Sequence, residues 1–215
     1  FPVMVQVKGD PRFRPERVTT FEGGARAQIA SSFLLDITTF RNQYRGLRGS
    51  PATEPEFKFE GEQAYLLITT PITNLIDGVQ TGTELSARWD PRPQWRVLAA
   101  YTHLHWRYDD PALAVALGEP VGEPEHAGTV RVSWDPAARV EVDATLHLVS
   151  KLPVTGVPAW SRLDLGLSWS PIAPVNVRLV GQNLLAPTHQ EYNDTYLEAH
   201  SNVQRGWYGS LAWRF

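Results

Sequence analysis

What most constrains this chain is a period of two in its hydrophobicity. It is clearest in residues 207–215, where Trp207, Gly209, Leu211, Trp213 and Phe215 fall on one side and Tyr208, Ser210, Ala212 and Arg214 on the other. Such alternation fits a strand with one apolar and one polar face, and no helix. Here the apolar side is aromatic at its ends, and the chain stops on Phe215 with no polar tail. Soluble chain ends usually fray and are polar. A strand whose apolar face meets lipid, with aromatic residues at the two water boundaries, accounts for both features.

The same alternation recurs along the chain. Residues 18–29 set Phe21, Gly23, Ala25, Ala27 and Ile29 against Glu22, Arg26 and Gln28, and residues 33–44 return after a turn at Ser31 and Ser32. Pairing the two as a hairpin brings Arg26 opposite Asp36. Further strands are expected at 72–89, 95–108, 129–134, 139–151, 162–169, 175–183 and 207–215, while residues 63–70 stay open between strand and loop. In the hairpin around residues 135–138, Arg131 is expected to face Asp143 and Val132 to face Val142. Residues 1–17, broken by Gly9, Pro11 and Pro15, read as loop, and so do 45–62, 109–125 and 184–203.

Short turns and long loops therefore alternate, the asymmetry of an outer-membrane barrel. Trp89, Trp134 and Trp169 each precede a short turn, Trp213 holds the corresponding place in the last strand, and Trp95 joins them across its turn. That puts indoles at one height, as an interfacial aromatic girdle requires. The charges collect on the opposite face, where Glu22, Arg26, Asp36, Glu84, Arg131, Asp143, Asp164 and Arg178 are expected to face a lumen. A lipid face has to be nearly charge-free, because Arg or Lys at mid-depth costs about 2–4 kcal/mol.

Composition narrows the partners. With a net charge of −3 and no basic stripe, nothing points to nucleic acid. The chain has no cysteine, which excludes disulfides and thiolate chemistry. The uncharged run 63–76 is too short for a membrane helix and contains Pro71, so a bilayer would be crossed by strands.

Several stretches together resemble the TonB-dependent outer-membrane receptors. They are Gly9-Asp10-Pro11-Arg12-Phe13-Arg14-Pro15-Glu16 with Phe21-Glu22-Gly23-Gly24, then Asp36-Ile37-Thr38-Thr39-Phe40-Arg41-Asn42-Gln43-Tyr44, and Gly82-Thr83-Glu84-Leu85. Val180-Gly181-Gln182-Asn183-Leu184-Leu185 with His189-Gln190-Glu191-Tyr192 is similar to the family's penultimate strand and its exit into the last loop. Ala186-Pro187 departs from the family, which commonly has an acidic residue there.

The resemblance implies an all-β, antiparallel up-and-down transmembrane barrel of ~22 strands with a plugged lumen, of which about nine strands, or ten with residues 63–70, lie here. Residues 1–17 are then an external loop remnant and 18–215 the C-terminal barrel strands, with the plug and earlier strands absent. A piece of this kind has two open edges and is not expected to form a channel alone. The implied function is TonB-energised uptake across the outer membrane of a scarce ligand such as a ferric siderophore or cobalamin. Its implied partners are the bilayer, the TonB complex through the missing plug, the barrel-assembly machinery through the last strand and its Phe215, and a small metal chelate. Aromatic and Arg side chains near the long loops are the candidate ligand contacts: Tyr44, Arg45, Arg48, Trp106, Arg107, Tyr108, Tyr192 and Tyr196.

No enzyme chemistry is assigned. Ser, His and Asp occur without a Gly-x-Ser-x-Gly elbow, and no phosphate-cradling glycine loop is present. His103 and His105 share a strand face near Asp109 and Asp110, but further ligands at defined spacing are lacking, so neither metal nor cofactor is assigned. A porin, a lipid-acting barrel enzyme and a soluble β-sandwich binding domain are the alternative readings.

Overall fold

The computed structural model describes residues 2–51, 53–116, 123–152, 155–194 and 199–215. Its strands are β1 (Val3–Lys8), β2 (Arg17–Ala30), β3 (Phe33–Gly49), β4 (Glu56–Glu60), β5 (Gln63–Pro71), β6 (Thr73–Arg92), β7 (Trp95–Tyr108), β8 (His126–Ala137), β9 (Val140–Val149), β10 (Trp160–Ile172), β11 (Val175–Gln182), β12 (Thr188–Asp194), β13 (Ala199–Gln204) and β14 (Gly206–Trp213). A short helix, α1 (Pro111–Ala116), follows β7. Nine strands form one antiparallel sheet in the order β14-β11-β10-β9-β8-β7-β6-β3-β2. Each neighbour is the next sheet strand along the chain, the up-and-down order that the alternation of short turns and long loops predicts.

The chain divides into two units, one of residues 1–21, 41–81 and 106–120, the other of residues 22–40, 82–105 and 121–215. In the second unit, register fixes which side chains share a face, because directly opposite residues point the same way. Trp213 pairs with Val175, Leu211 with Val177, Leu179 with Leu167, Leu167 with Val142, Ala144 with Val132, and Val132 with Val97. Among the registered residues of β7 to β14 this face carries no Asp, Glu, Lys or Arg. It is also uncovered: Leu165 is 42% exposed, Trp169 52%, and Leu211 and Trp213 each 71%.

The short-turn end is built by a repeated device. Trp89-Asp90-Pro91, Trp134-Asp135-Pro136 and Trp169-Ser170-Pro171 each place a donor between an indole and a proline. The middle residue donates a last rung to the neighbouring turn: Asp90 N–H to the Ser32 carbonyl (2.8 Å), Asp135 to Gln94 (2.9 Å) and Ser170 to Arg139 (2.9 Å). Arg214, after Trp213, does the same to Pro174 at 2.8 Å. Proline has no N–H, so the regular ladder breaks just past that rung. The pairing of both β8 with β9 and β10 with β11 slips there, between Trp134 and Ala137 and between Trp169 and Ile172. One indole per rung therefore stands at a common level, and Trp95 stacks on its register partner Trp134 at 5.2 Å.

Glycines admit aromatic rings elsewhere in this unit. A Cβ on Gly82 would overlap the Phe40 ring, and one on Gly181 would meet Trp207 at 2.5 Å. Such a ring laid over a glycine covers the gap that the missing side chain leaves.

In the first unit, β1 runs parallel to β5, and β5 antiparallel to β4. The stretch read from sequence as loop up to residue 17 thus contains a strand. Val3, Val5 and Val7 alternate too briefly to outweigh Gly9 and Pro11 in sequence, and only pairing with β5 makes them a strand. Residues 45–62, also read as loop, hold the end of β3 and all of β4. Residues 63–70, left open, lie in β5, outside the nine-stranded sheet. A small core lies here: Leu47, Ile76, Tyr108 and Ala114, with Tyr44, Trp106 and Leu113 against it. Gly46 bends β3 at φ 66°, and its N–H and carbonyl go to Asp77 Oδ1 (2.7 Å) and Asn74 Nδ2 (2.6 Å). Asn74 also accepts from the Arg14 N–H (2.7 Å) and donates to the Arg14 carbonyl (2.9 Å), standing in for a strand's backbone.

Three further readings are corrected in the second unit. Asp143 pairs with Ser133, Arg131 with Thr145 and Val132 with Ala144, so the expected β8–β9 register is shifted by two residues. The turn closes at Ala138 and Arg139 after the slip past Trp134, two residues later than assumed, and an even shift keeps every side chain on its face. Residues 184–203 hold β12 and most of β13, which pair with each other. Phe215 lies past the end of β14 and is fully exposed.

Replacing Gly82 by Val drives its side chain into Phe40. It is expected to destabilise the sheet by about 1–3 kcal/mol, measured as a lowered urea midpoint in detergent, and to be partly relieved by Phe40→Leu.

Candidate functional site

On the sheet face opposite the indoles, alternation brings charged residues of β8, β9 and β11 together. Asp143 on β9 is nearly buried and receives Arg178 Nη2 of β11 at 2.6 Å and Arg131 Nη2 of β8 at 3.6 Å. Arg131 sits diagonally from Asp143, within reach of a long side chain. Arg178 Nη1 also donates to Ser168 Oγ at 2.8 Å. Gly166 between them is what lets the ions meet, since a Cβ there would overlap the Asp143 carboxylate and lie 2.8 Å from Arg178 Nη2. Further along the sheet, Arg26 Nε donates to Asp36 Oδ2 at 2.6 Å, the contact expected from the β2–β3 hairpin. An open groove of about 490 Å³ runs over this face between Arg26, Asp36, Arg88, Arg131 and Thr145. Glu22 and Glu84 are exposed on β2 and β6.

A second polar centre closes the end of β10 and β11. Arg162 grips Asp164 by two bonds, of 2.9 and 2.7 Å, and Asp164 Oδ1 accepts the Asn183 N–H at 2.9 Å. Asn183 is fully buried and left-handed at φ 55°, a conformation asparagine tolerates better than most residues. Its Nδ2 donates to the Val203 carbonyl (2.9 Å), and its Oδ1 is 3.0 Å from His189 Nδ1. His189 Nε2 meets Glu191 at 2.7 Å, and the ring stacks on Trp160 at 4.7 Å. One side chain thereby ties the ends of β10 and β11 to β12 and β13, the structural role its place at a strand exit suggests.

The candidate contact residues separate by packing. Tyr44 lies against Trp106 at 5.0 Å and Trp106 stacks on Tyr108 at 5.2 Å, with planes 2° apart. All three belong to the small core or pack on it, so they shape this region before they can touch anything else. Arg45, Arg48 and Arg107 are exposed, and Glu16 accepts the Arg48 backbone N–H at 2.6 Å. In the same unit the Arg12 backbone N–H and guanidinium hold the Asp10 carboxyl below its ordinary range and fix the turn at residues 10–13. Tyr192, on β12, is exposed; Tyr196 lies outside the described residues.

Sequence reasoning missed Asn74, Asp77 and the partners of His103, which are Glu125 and His126 where the sequence sets Asp109 and Asp110 beside it. Asn74 and Asp77 bond across strands to a backbone whose path the sequence does not give. His126 pairs with His103 only because β8 starts three residues earlier than its alternation suggests.

Replacing Asn183 by Ala removes its side-chain bonds and leaves alanine left-handed. The expected cost is about 2–4 kcal/mol, seen as faster amide exchange and proteolysis over residues 184–205. Asn183→Gly, which keeps the backbone, is expected to lose less.

A family model described as TonB dependent receptor-like, beta-barrel, matches residues 2–184. Among curated proteins none matches the chain. Solved structures share its fold. The ferric-catecholate import receptor Fiu from E. coli K12 is 15% identical with a TM-score of 0.68, over 93% of this chain and 28% of that one. The pyoverdine outer membrane receptor FpvA from Pseudomonas aeruginosa PAO1 is 15% identical with a TM-score of 0.71, over 94% and 30%. The ferric yersiniabactin uptake receptor FyuA from Yersinia pestis is 15% identical with a TM-score of 0.69, over 93% and 30%. The chain thus spans less than a third of the length of each of these structures.

Proposed function

The chain belongs to the TonB-dependent receptor-like β-barrel family, and on that premise we propose that it forms wall and loops of an outer-membrane receptor that takes up a scarce metal chelate. A ferric siderophore is the leading ligand class, and the TonB complex acting on a plug domain supplies the energy. The observation that carries this reading is the division of the sheet from β7 to β14 into an uncovered face whose registered residues carry no charge and a charged face with paired ions. Hydrocarbon suits the first, since burying apolar surface without charge is what a bilayer asks of a barrel's outside. A polar lumen suits the second.

The roles follow from position. Trp89, Trp95, Trp134, Trp169 and Trp213 form the interfacial girdle at the short-turn end. Glu22, Arg26, Asp36, Glu84, Arg131, Asp143, Asp164 and Arg178 line the lumen. Unpaired backbone on a sheet edge is costly in lipid, so β14 and β2 require further strands beside them in the bilayer. The last strand with Phe215 is the segment that the assembly machinery engages. Among the contact candidates, Arg45, Arg48, Arg107 and Tyr192 are exposed and suit an anionic chelate, while Tyr44, Trp106 and Tyr108 hold the backbone beneath the arginines.

The test is uptake of radio-iron carried by catecholate or hydroxamate siderophores in cells with and without this protein. Saturable uptake that disappears when TonB is removed is expected, with the protein in the outer-membrane fraction. Uptake indifferent to the protein or to TonB for every chelate would overturn the reading. Arg45→Ala and Arg107→Ala are each expected to weaken chelate binding by about 1–2 kcal/mol, measured by equilibrium binding to whole cells.

A further inference from the structure

The sheet face that carries the indoles is not apolar throughout. At the end of β7 and β8 remote from the short turns, His103 pairs directly with His126, and their rings stack at 4.8 Å. Glu125, one residue before β8, puts Oε1 at 3.7 Å from His103 Nε2 and at 3.7 Å from His105 Nδ1. His103 and His105 are two residues apart on one strand and so share this face. One ligand atom from each of His103, Glu125 and His126 lies within 4.8 Å of the others.

We propose that His103, His126 and Glu125, with His105 as a fourth donor, form a binding site for a divalent transition-metal ion of the zinc class. Imidazole with carboxylate is a donor set that zinc accepts, and tetrahedral zinc at ~2.0–2.1 Å from each donor asks for donors about 3.3 Å apart. The donors stand within 4.8 Å of one another, and metal binding has to draw them in to that spacing.

Two features of the surroundings favour a ligand site over a loose ion pair. The Tyr101 hydroxyl shares a 2.8 Å hydrogen bond with His126 Nδ1, leaving Nε2 as the nitrogen available to a metal. An outer-shell partner of this kind fixes ring orientation and raises ligand basicity. The backbone is fixed from both sides: the Ser150 hydroxyl accepts the His126 N–H at 3.0 Å, the His126 carbonyl accepts the Ser150 N–H at 2.9 Å, and Leu104 N–H binds the Glu125 carbonyl at 2.9 Å. A bound cation would staple the end of β7 to the start of β8 and so close the connection at residues 109–125 at its base. The site stands on the opposite sheet face from the ion pairs assigned to the lumen, and it does not depend on the nature of the transported ligand.

The experiment uses the intact protein in detergent, titrated with Zn²⁺ by calorimetry and with Co²⁺ by visible absorption. One saturable equivalent and the absorption bands of a low-coordinate cobalt site are expected. His126→Gln is expected to abolish that equivalent, and Tyr101→Phe to weaken it by about tenfold. His147→Gln, on the opposite face beside Thr129, is expected to leave it intact. Metal is also expected to slow proteolysis within residues 109–125. Absence of saturation up to about 1 mM Zn²⁺, or equal loss in His126→Gln and His147→Gln, would overturn the proposal. If His126→Gln does not fold, Tyr101→Phe decides: unchanged affinity counts against the site.

Discussion

The nine-stranded sheet depends on one constraint, the closure of backbone hydrogen bonds within a single layer. In the described residues of this unit, little apolar surface is buried; most of its leucines, valines and tryptophans stand partly or largely exposed on one face. Ladder bonds and cross-strand neighbours hold the sheet, and burial between layers contributes little. That is a poor arrangement in water, where uncovered apolar surface of this extent drives association. In the proposed bilayer the same face is favourably solvated, and every unpaired N–H is penalised, which makes regular pairing the dominant demand.

The details of the unit follow from that demand. Each Trp-x-Pro segment spends its last donor on a rung to the next turn and then ends regular pairing with a residue that has nothing to donate. The indole before it marks the level at which the rungs end. On the charged face, isolated ions would be costly, so Asp143 is shared by Arg178 and Arg131, and Gly166 supplies the room. Asn183 extends the same logic to the strand exit, where backbone groups of the last connection find a side chain where ladder partners are lacking.

The first unit is organised differently. Its segments bury a small core of their own around Tyr108 and Ile76, and Asn74 substitutes for a strand in holding Arg14. The aromatic residues that look like recognition anchors in sequence are mostly used for that core. The arginines beside them stay exposed. In the proposed receptor, recognition and packing would draw on the same residue types, because flat rings serve both.

Alternation by itself determined the antiparallel sheet, the two faces, the short turns and the level of the indoles. These features depend only on nearest neighbours in the chain, on the two-residue repeat of a strand and on the missing N–H of proline. The Arg26–Asp36 contact was legible for the same reason, since a two-residue turn leaves the hairpin little choice of register. Tertiary structure decided what depends on partners distant in sequence. The shift of β8 against β9 comes from an irregularity after Trp134, and β1 exists because β5 lies beside it, some sixty residues on. His126 meets His103 through cross-strand pairing over a long connection whose length sets no register. Local pattern selects the element and its faces; which strands meet, and at which residue, is settled only when the whole set of hydrogen bonds closes.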